Sequence, residues 1–520
     1  MSSKVLRYGL LMALAAGCSE VSSSAGPSST GSAPQFPGPQ PPGASLACAL
    51  PAVPQVLGDP VKGKDDLLNG NYMSCGVPFK IWQNPITHPI AEALIRGIVT
   101  DTHMETLPGR TGDNQNLPYM LNAFHATNGA NVFFPNCLAC HGGHADGQVT
   151  IGLGNSTLDF TWAATPFMVP IFLNGQTTAL LGFDAAEQAN MDQIIEPAKI
   201  YNNQVQMRTV GNNPAELLPF VFASHKDKDT LAFSLLPLFD DTAHDPDTGQ
   251  VIQHMVFTSR PQAWWRAHKQ NALFYNGMAR GQHRGSMSIA TGVCVDDVTE
   301  AQRVDDMFKD IQAYVETIRA PRWKRAIDQT LVAQGKPIFD KTCSGCHGTY
   351  ADDRTNDNQD TYPNLLIPLN VVGTDPFIAR INEYSPNVFD WYNQMFYGKV
   401  TPFVFDNPCG KGYVAPPLDG IWAMAPYLHN GSVPNIELVL NSKKRPKYWK
   451  RVDYDSTHID EQALGWPFVE VPYPQWLALP IEQKYIYDTT YLSQGNGGHT
   501  FGDNLTDPER RAVIEYLKTL

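Results

Sequence analysis

Two five-residue strings of the form C-x-x-C-H constrain this chain more than any other feature. They run from Cys137 to His141 and from Cys343 to His347. In this pattern the two thiols bond the vinyl groups of one porphyrin, and the histidine that follows ligates the iron. No further cysteine pair lies nearby in the sequence to complete a four-ligand zinc site. The strings therefore predict two covalently bound haem c groups, one held by Cys137, Cys140 and His141 and the other by Cys343, Cys346 and His347.

The composition narrows the class of protein further. The chain has 520 residues, of which 42% are hydrophobic, and a formal net charge of −13. That apolar fraction is enough for a sizeable core and excludes a wholly disordered chain. An acidic chain without a dense run of Lys and Arg is poorly suited to binding nucleic acid. The composition favours a globular protein of two to four domains with no nucleic-acid partner.

The N-terminus has the pattern of an export signal. Residues 1–17 carry Lys4 and Arg7 before a short apolar stretch, and residues 14–18 read LAAGC, which is similar to a bacterial lipobox. Cys18 would then be lipidated and residues 18–47, rich in Ser, Pro and Gly, would form a tether; an ordinary secretory signal is the alternative. Both interpretations place the protein in the periplasm or at the outer membrane surface of a Gram-negative bacterium. Because no later stretch of about 20 apolar residues occurs, the lipid anchor would be the only membrane contact.

The remaining pattern predicts a mainly α fold with long irregular loops and two cytochrome modules, residues 48–325 and 326–520. Residues 326–341 have apolar positions at helical spacing, with Gly335 available for a close helix crossing. Thr506 and Glu509 form a capping box before a terminal helix. A terminal helix that packs on an N-terminal helix across the haem is the cytochrome c arrangement. Residues 84–99 and 120–125 are also expected to be helical.

The second haem needs a sixth ligand from the residues that follow His347. His499 lies in a Gly-rich loop just before the terminal helix, where a cytochrome c supplies its distal ligand, and it is the preferred candidate. His429 is the alternative. His458, Met395 and Met424 are further candidates.

The string APYLHNGSVP, residues 425–434, resembles the PYxHxGSVPxL segment of the bacterial dihaem cytochrome c peroxidase and MauG superfamily. Together with the spacing of the two haem motifs and the string WAMAPYLHNG at 422–431, it is most similar to one branch, the RoxA-like dihaem rubber oxygenases. Residues 208–215 and 271–277 are similar to that branch too. The resemblance covers about residues 75–520.

The resemblance implies that the two haems have different tasks. It implies an O₂-binding first haem in an apolar pocket and a bis-His second haem. No histidine occurs between His144 and His225, which agrees with an open first haem. The resemblance also implies a tryptophan that couples the two haems, for which Trp265 is the candidate and Trp264 the alternative. Candidates for the apolar distal wall include Ala215 and Leu218, while Met168, Met191 and Met207 could instead supply a ligand.

Two further sets of residues have candidate roles around the haems. Arg266, Lys269 and Arg280 could pair with haem propionates. Once Cys18 and the haem thiols are set aside, four cysteines remain, which fits two disulfides in an exported protein. Three pairings are possible, and the expectation that closes the shorter loop first is Cys48–Cys75 with Cys294–Cys409.

Together these features predict a haem-dependent oxidoreductase. The first interpretation is an O₂-activating dioxygenase acting on an apolar or alkene substrate; a polyisoprene substrate is implied by the resemblance alone. The second is a hydrogen peroxide reductase, which needs a distal acid such as Glu187 or Glu196. The third is an electron-transfer cytochrome without enzymatic activity. The expected partners are a redox protein or a small reductant, together with the apolar substrate or peroxide.

Overall fold

A computed structural model describes residues 46–98, 104–161, 181–204, 207–213, 218–252 and 258–520. The expected signal segment, Cys18 and the tether up to residue 45 lie outside these residues. No helix in the described ranges is both long enough and apolar enough to span a membrane.

The described part of the chain contains helices of very different lengths. The longest are α5 and α8, with 20 residues each. The α-helices are α1 (Pro60–Asn69), α2 (Lys80–Gln83), α3 (His88–Ile98), α4 (Leu138–His141), α5 (Ala185–Gln204), α6 (Leu218–Ala223), α7 (His283–Ser288), α8 (Val298–Thr317), α9 (Gln329–Thr342), α10 (Ser344–His347), α11 (Leu369–Val372), α12 (Ile381–Tyr384), α13 (Pro386–Gln394), α14 (Phe396–Val400), α15 (Ile436–Val439), α16 (Pro480–Gln483) and α17 (Asp507–Leu517). Short 3₁₀ helices lie at Gly112–Asn116, Trp264–Lys269, Ile289–Val293, Asp357–Gln359, Ile378–Arg380, Ile421–Ala423, Ser442–Lys444 and Gln475–Leu477.

The strands are short and form small antiparallel sheets. Three sheets have the orders β1-β7-β8, β2-β4-β3 and β10-β9-β11, and β5 pairs with β6. The strands are β1 (Cys48–Ala49), β2 (Val77–Pro78), β3 (Leu121–His125), β4 (Asn131–Pro135), β5 (His144–Ala145), β6 (Gln148–Val149), β7 (Leu365–Pro368), β8 (Gly412–Val414), β9 (Tyr448–Arg451), β10 (Phe468–Glu470) and β11 (Ile486–Asp488).

Residues 120–125 correct one sequence expectation, because they form strand β3 and not a helix. Leu121 pairs with Pro135 and His125 with Asn131 across an antiparallel hairpin. Gly129, at φ +87°, closes the turn and donates its backbone N–H to the Ala126 carbonyl. So short a segment, in which Asn122 and His125 interrupt the apolar residues, fits either a strand or a helix, and pairing with β4 decides between them. The hairpin matters for function because β4 runs directly into the first C-x-x-C-H string.

Two helices expected from the sequence pack closely together in the C-terminal half. Helix α9 crosses α17 at Gly335, where a Cβ atom would collide with the backbone carbonyl of Ala512. Thr506 and Glu509 form the expected capping box at the start of α17. Phe339 of α9 and Val513 of α17 are both fully buried. This close crossing fixes the end of α9, from which the second C-x-x-C-H string leaves.

A second helix pair in the N-terminal half crosses in the same way. Helix α1 packs on α8 at Gly63, where a Cβ atom would collide with the Asp310 carbonyl. Tyr72, just after α1, packs edge-on against Phe308 of α8, with ring centres 5.6 Å apart. The Tyr72 hydroxyl accepts a hydrogen bond from the Cys137 N–H at 3.3 Å. The α1–α8 pair therefore supports the first C-x-x-C-H string.

The disulfides correct a second expectation. Cys48 bonds to Cys409, and Cys75 bonds to Cys294. The shorter-loop rule gave Cys48–Cys75 and was wrong, because sequence separation says little about which strands meet. Cys48 lies in β1, which pairs with β7, and β7 pairs with β8 close to Cys409.

Candidate haem sites

The first C-x-x-C-H string forms a single helical turn, α4, immediately after strand β4. The His141 ring is partly buried, and its Nδ1 lies 3.1 Å from the carbonyl oxygen of Gln262. Burial lowers the pKa of His141 to about 4, so the imidazole is neutral at neutral pH. A hydrogen bond at Nδ1 leaves Nε2 as the available ligand atom, the usual arrangement of a metal-binding histidine.

A cavity opens beside His141, with about 700 Å³ of space, part of it open to solvent. Trp264 stacks on the His141 ring with the ring centres 4.7 Å apart and the planes 22° apart. Among the described residues that line this cavity, His141 is the only histidine. Apolar side chains supply much of the rest of the wall: Ala267, Leu273, Phe274 and Met287.

The second C-x-x-C-H string begins where α9 ends. Cys343 caps α9 with its backbone N–H on the Phe339 carbonyl, and the next residues form the single turn α10. The Nδ1 atom of His347 lies 2.8 Å from the Pro416 carbonyl oxygen. Burial lowers the pKa of His347 to about 4. The ring of His347 is therefore oriented in the same way as that of His141, by a hydrogen bond between Nδ1 and a backbone carbonyl.

His499 faces His347 across the second site. Their ring centres are 6.2 Å apart. When two imidazoles ligate one iron, their ring centres are separated by two metal–nitrogen bonds of about 2 Å and by roughly 1 Å from each nitrogen to its ring centre. These lengths together match the separation of the His347 and His499 rings. Burial is the main cause that lowers the pKa of His499 to about 3, which keeps the ring neutral and able to ligate.

The backbone around His499 is held tightly in place. Gly498 lies against Gly373 so closely that a Cβ atom would collide with the Gly373 backbone. Arg445 donates from Nη1 to the carbonyls of Asn496 and Gly498 at 2.6 and 2.7 Å. Its Nε and Nη2 reach the carbonyls of Leu438 and Val439. Arg445 thus ties the loop that carries His499 to helix α15.

His429, the alternative ligand, lines the same cavity but packs differently. Its ring stacks on Tyr413, with centres 4.0 Å and planes 16° apart. Its Nε2 atom is buried without a hydrogen-bond partner in the described structure. The 6.2 Å separation of the His347 and His499 rings therefore favours His499 over His429 as the residue opposite His347.

The eight cysteines in the described ranges fall into two chemical groups. Cys48, Cys75, Cys294 and Cys409 form disulfides, whereas the four thiols of the C-x-x-C-H strings are free. Burial raises the pKa of Cys137 and Cys343 to about 12 and that of Cys346 to about 11. Burial also raises the pKa of Cys140. These thiols lie close to their paired histidines and are not used to cross-link the chain.

The cavity between His347 and His499 is larger than the first, with about 1350 Å³ of space, part of it open to solvent. Its wall is mainly apolar, and three parts of the chain that the fold brings together supply most of it. These parts are α9–α10, residues 413–440 and the terminal segment, which contribute residues such as Phe339, Ile421, Met424, Leu440, Val513 and Leu517.

The tryptophans and the proposed distal wall occupy distinct places. Trp265 is 1% exposed, packs against Gly420 and donates its indole N–H to the Asp419 carbonyl at 2.8 Å. Trp264 contacts the first site instead. Ala215 lies outside the described residues, as does Met168. Leu218 begins helix α6, but its side chain is not among those described.

The expected acids have structural partners. Glu187 pairs with Lys80 and accepts the Asp184 backbone N–H at 2.9 Å, close to the start of α5. Glu196 pairs with Lys199 on the exposed side of the same helix, 2.7 Å away. Neither residue is among those that line the two cavities.

The three basic residues expected at the propionates lie in different surroundings. Arg266 lines the second cavity. Lys269 instead forms ion pairs with Asp360 and Asp419, and Arg280 donates to Gly277 and Asn407. The sequence analysis missed Arg260, which is buried and lines both cavities. No local pattern marks Arg260, because its position depends on the turn at residues 425–431 folding against it.

Comparison with known proteins supports the C-terminal part of this description. Residues 412–450 match a family described as "RoxA-like, cytochrome c-like". This segment forms one wall of the second cavity and includes His429 but neither C-x-x-C-H string. The match supports a c-type cytochrome with covalently bound haem.

Two relatives from Sinorhizobium fredii (strain NBRC 101917 / NGR234) are similar to longer parts of the chain. "Uncharacterized protein y4iJ" is 28% identical over 261 residues, covering 39% of this chain and 41% of the relative. "Uncharacterized protein y4iM" is 29% identical over 146 residues, covering 26% of this chain and 34% of the relative. In both cases the match spans less than half of the relative's own length.

The residues at the two sites fit haem c. Each site has two free thiols, a neutral histidine oriented through Nδ1 and an adjoining cavity with apolar walls. A cluster of three or more His, Cys, Asp or Glu that could hold a metal ion directly does not occur in the described ranges. A porphyrin would supply the remaining ligands that a lone histidine, or a pair of histidines, lacks.

Proposed function

We propose that this chain is an exported dihaem c-type cytochrome oxidoreductase, and that it is an O₂-activating dioxygenase of the RoxA-like type. The observation that carries the proposal is the difference between the two sites. The second has two histidine rings 6.2 Å apart, whereas His141 is the only histidine among the described residues of the first cavity. A closed site suits electron transfer, and an open one suits O₂ or peroxide chemistry.

The chain's own residues have distinct tasks in this proposal. Haem c supplies an iron that binds small ligands and exchanges single electrons when it is bound. Cys137 and Cys140 anchor the first haem, and His141 is its protein ligand. Leu273 and Phe274 help to exclude water and favour an apolar substrate.

The second site sets the electron supply of the first. Cys343 and Cys346 anchor the second haem, and His347 and His499 are its two protein ligands. Trp264 contacts His141, and the adjacent Trp265 packs in the core that contains Phe339 and Met424. This pair of indoles provides a short route between the two regions, with Trp265 as the coupling residue.

The dihaem hydrogen peroxide reductase is the second candidate, because it too requires an open first site. It also requires a distal acid–base group. The two acids considered for that task, Glu187 and Glu196, are engaged with Lys80 and Lys199, which favours the dioxygenase.

The substrate test compares two reactions of the assembled protein. Oxygen uptake on a polyisoprene emulsion is expected, with slow or absent turnover of hydrogen peroxide by a reduced cytochrome. The reverse result would establish the peroxide reductase, and the absence of both reactions would leave an electron carrier.

Trp265→Phe should slow electron equilibration between the irons, whereas Trp323→Phe, at a half-buried tryptophan, should not.

The N-terminal proposal is separate. Lipidation of Cys18 would hold the protein at the periplasmic or outer surface of the membrane, with the two modules 48–325 and 326–520 beyond the tether. Cys18→Ala should release the protein in soluble form. An unchanged membrane fraction would contradict the anchor.

A further inference from the structure

Two arginines are buried beside the second cavity without a carboxylate of their own. Arg260 and Arg266 are each 4% exposed, and both line the cavity between His347 and His499. Burying an unpaired cation is costly, so a guanidinium in such a place needs an anion close by. The described structure offers no free anion to either of them.

Arg260 has the clearer deficit. Its Nη2 donates to the Ala425 carbonyl at 3.3 Å, while its Nε is buried and has no hydrogen-bond partner. The groups that act on its charge are the hydroxyls of Tyr275, Tyr427 and Tyr487. Tyrosine hydroxyls are neutral at neutral pH and do not compensate a full positive charge.

Arg266 has an acidic neighbour that is already engaged. Its Nε donates to the backbone carbonyl of Asp419 at 3.3 Å, and its Nη2 is buried without a partner. The carboxylate of Asp419 pairs instead with Lys269 at 2.9 Å and with Arg354 at 2.6 Å. Arg266 therefore retains donor capacity toward the cavity.

The two guanidinium groups lie near the same tyrosines in the wall of the cavity. Tyr275 lines the cavity and lies within electrostatic range of both arginines, and Tyr427 does the same. The stem of Arg260 fits there because of Gly431, where a Cβ atom would lie 2.9 Å from Arg260 Cδ. Gly431 also has φ +72°, a conformation that favours glycine. The turn at 425–431 is thus shaped to admit Arg260.

We propose that Arg260 and Arg266 form a carboxylate-binding subsite that takes the propionates of the haem held by Cys343 and Cys346. Guanidinium groups bind carboxylates with geometric specificity through two parallel hydrogen bonds. The inference rests on the proposed dihaem function and adds to it the residues that would bind the propionates of the second haem. Arg260 also lines the first cavity, so the proposed subsite lies beside both cavities.

The subsite has a redox consequence. Reduction of the iron removes one positive charge, so a cation beside the haem favours the reduced form and raises the midpoint potential. Paired with Arg260, the propionate stays ionised over the neutral range. Without Arg260, the propionate's pKa rises in this apolar setting, and proton uptake becomes coupled to reduction.

The test uses the full chain carrying its covalent haems, with the two midpoint potentials measured separately by spectroelectrochemistry between pH 5 and 8. Arg260→Gln should lower the potential of the second haem and make it depend on pH. In Arg260→Lys, the midpoint potential of the second haem should stay close to that of the unchanged protein and should remain independent of pH. Arg280→Gln is the matched control, because this half-buried arginine donates to Gly277 and Asn407, and it should behave as the unchanged protein.

The contrary results are separable. A second-haem potential that stays the same at every pH in Arg260→Gln would overturn the subsite while leaving the dihaem proposal intact, as would a change confined to the first haem. If Arg260→Gln does not fold, the same pH series on Arg266→Gln decides, with the same shift expected and the same null result contradicting it. Absence of haem on Cys343 and Cys346 in the unchanged protein would overturn both proposals.

Discussion

At the scale of single residues, two imidazoles that line one cavity decide the sixth ligand of the second haem. His499 and His429 both line the second site, and burial lowers the pKa of each to about 3. Only the His499 ring is placed 6.2 Å from His347, whereas His429 stacks on Tyr413. The two residues therefore form a natural comparison, because their chemistry is the same and their positions differ.

Replacing His499 by Ala should open the second haem. The ligand lost from the iron leaves a position that CO can occupy after reduction, and the low-spin spectrum of that haem should become partly high-spin. His429→Ala is the control and should remain low-spin and closed to CO at this haem. Ligand opening in His429→Ala, with none in His499→Ala, would show that the assignment of the sixth ligand is wrong.

At the scale of elements, the α9–α17 crossing was predictable and the hairpin before Cys137 was not. Capping at Thr506 and the small residue Gly335 are local signals, and both match the structure. Strand β3 depends on pairing with β4, and a five-residue segment is too short for its pattern of apolar and polar residues to separate strand from helix. The turn at Asn128-Gly129 was the available signal, since this dipeptide is typical of hairpins.

The crossing can be tested by adding one methyl group. Gly335→Ala would force a Cβ atom into the carbonyl of Ala512, and overpacking of this kind destabilises a protein by about 1–3 kcal/mol. Gln334→Ala, at an exposed position of the same helix, should change stability by less than about 0.5 kcal/mol. Thermal unfolding of the assembled protein measures both. Equal stability of the two variants would argue against the close crossing.

At the scale of the whole molecule, residues distant in sequence define the sites. His347 meets His499 across more than a hundred residues, and Arg260 reaches both cavities from the segment between the two motifs. The C-x-x-C-H strings could be found from the sequence because the ligands lie side by side. The disulfide pairing and the position of Arg260 could not, because they depend on which distant segments the fold brings into contact.

The disulfides provide a direct check of this long-range arrangement. Peptide mapping of the exported protein without reduction should join Cys48 to Cys409 and Cys75 to Cys294, because the fold places their Cα atoms 5.6 and 5.1 Å apart. Thioether-linked haem should occupy the other four thiols. A Cys48–Cys75 peptide would contradict the arrangement of β1 beside β7.

The division of labour between the two haems is the central claim, and CO titration of the fully reduced protein tests it most directly. Mass spectrometry first establishes two covalent haems per chain. We then expect one CO to bind per chain, at the haem on Cys137 and Cys140, while the haem on Cys343 and Cys346 keeps His347 and His499 and remains closed. Binding at neither haem, at both, or only at the second would contradict it.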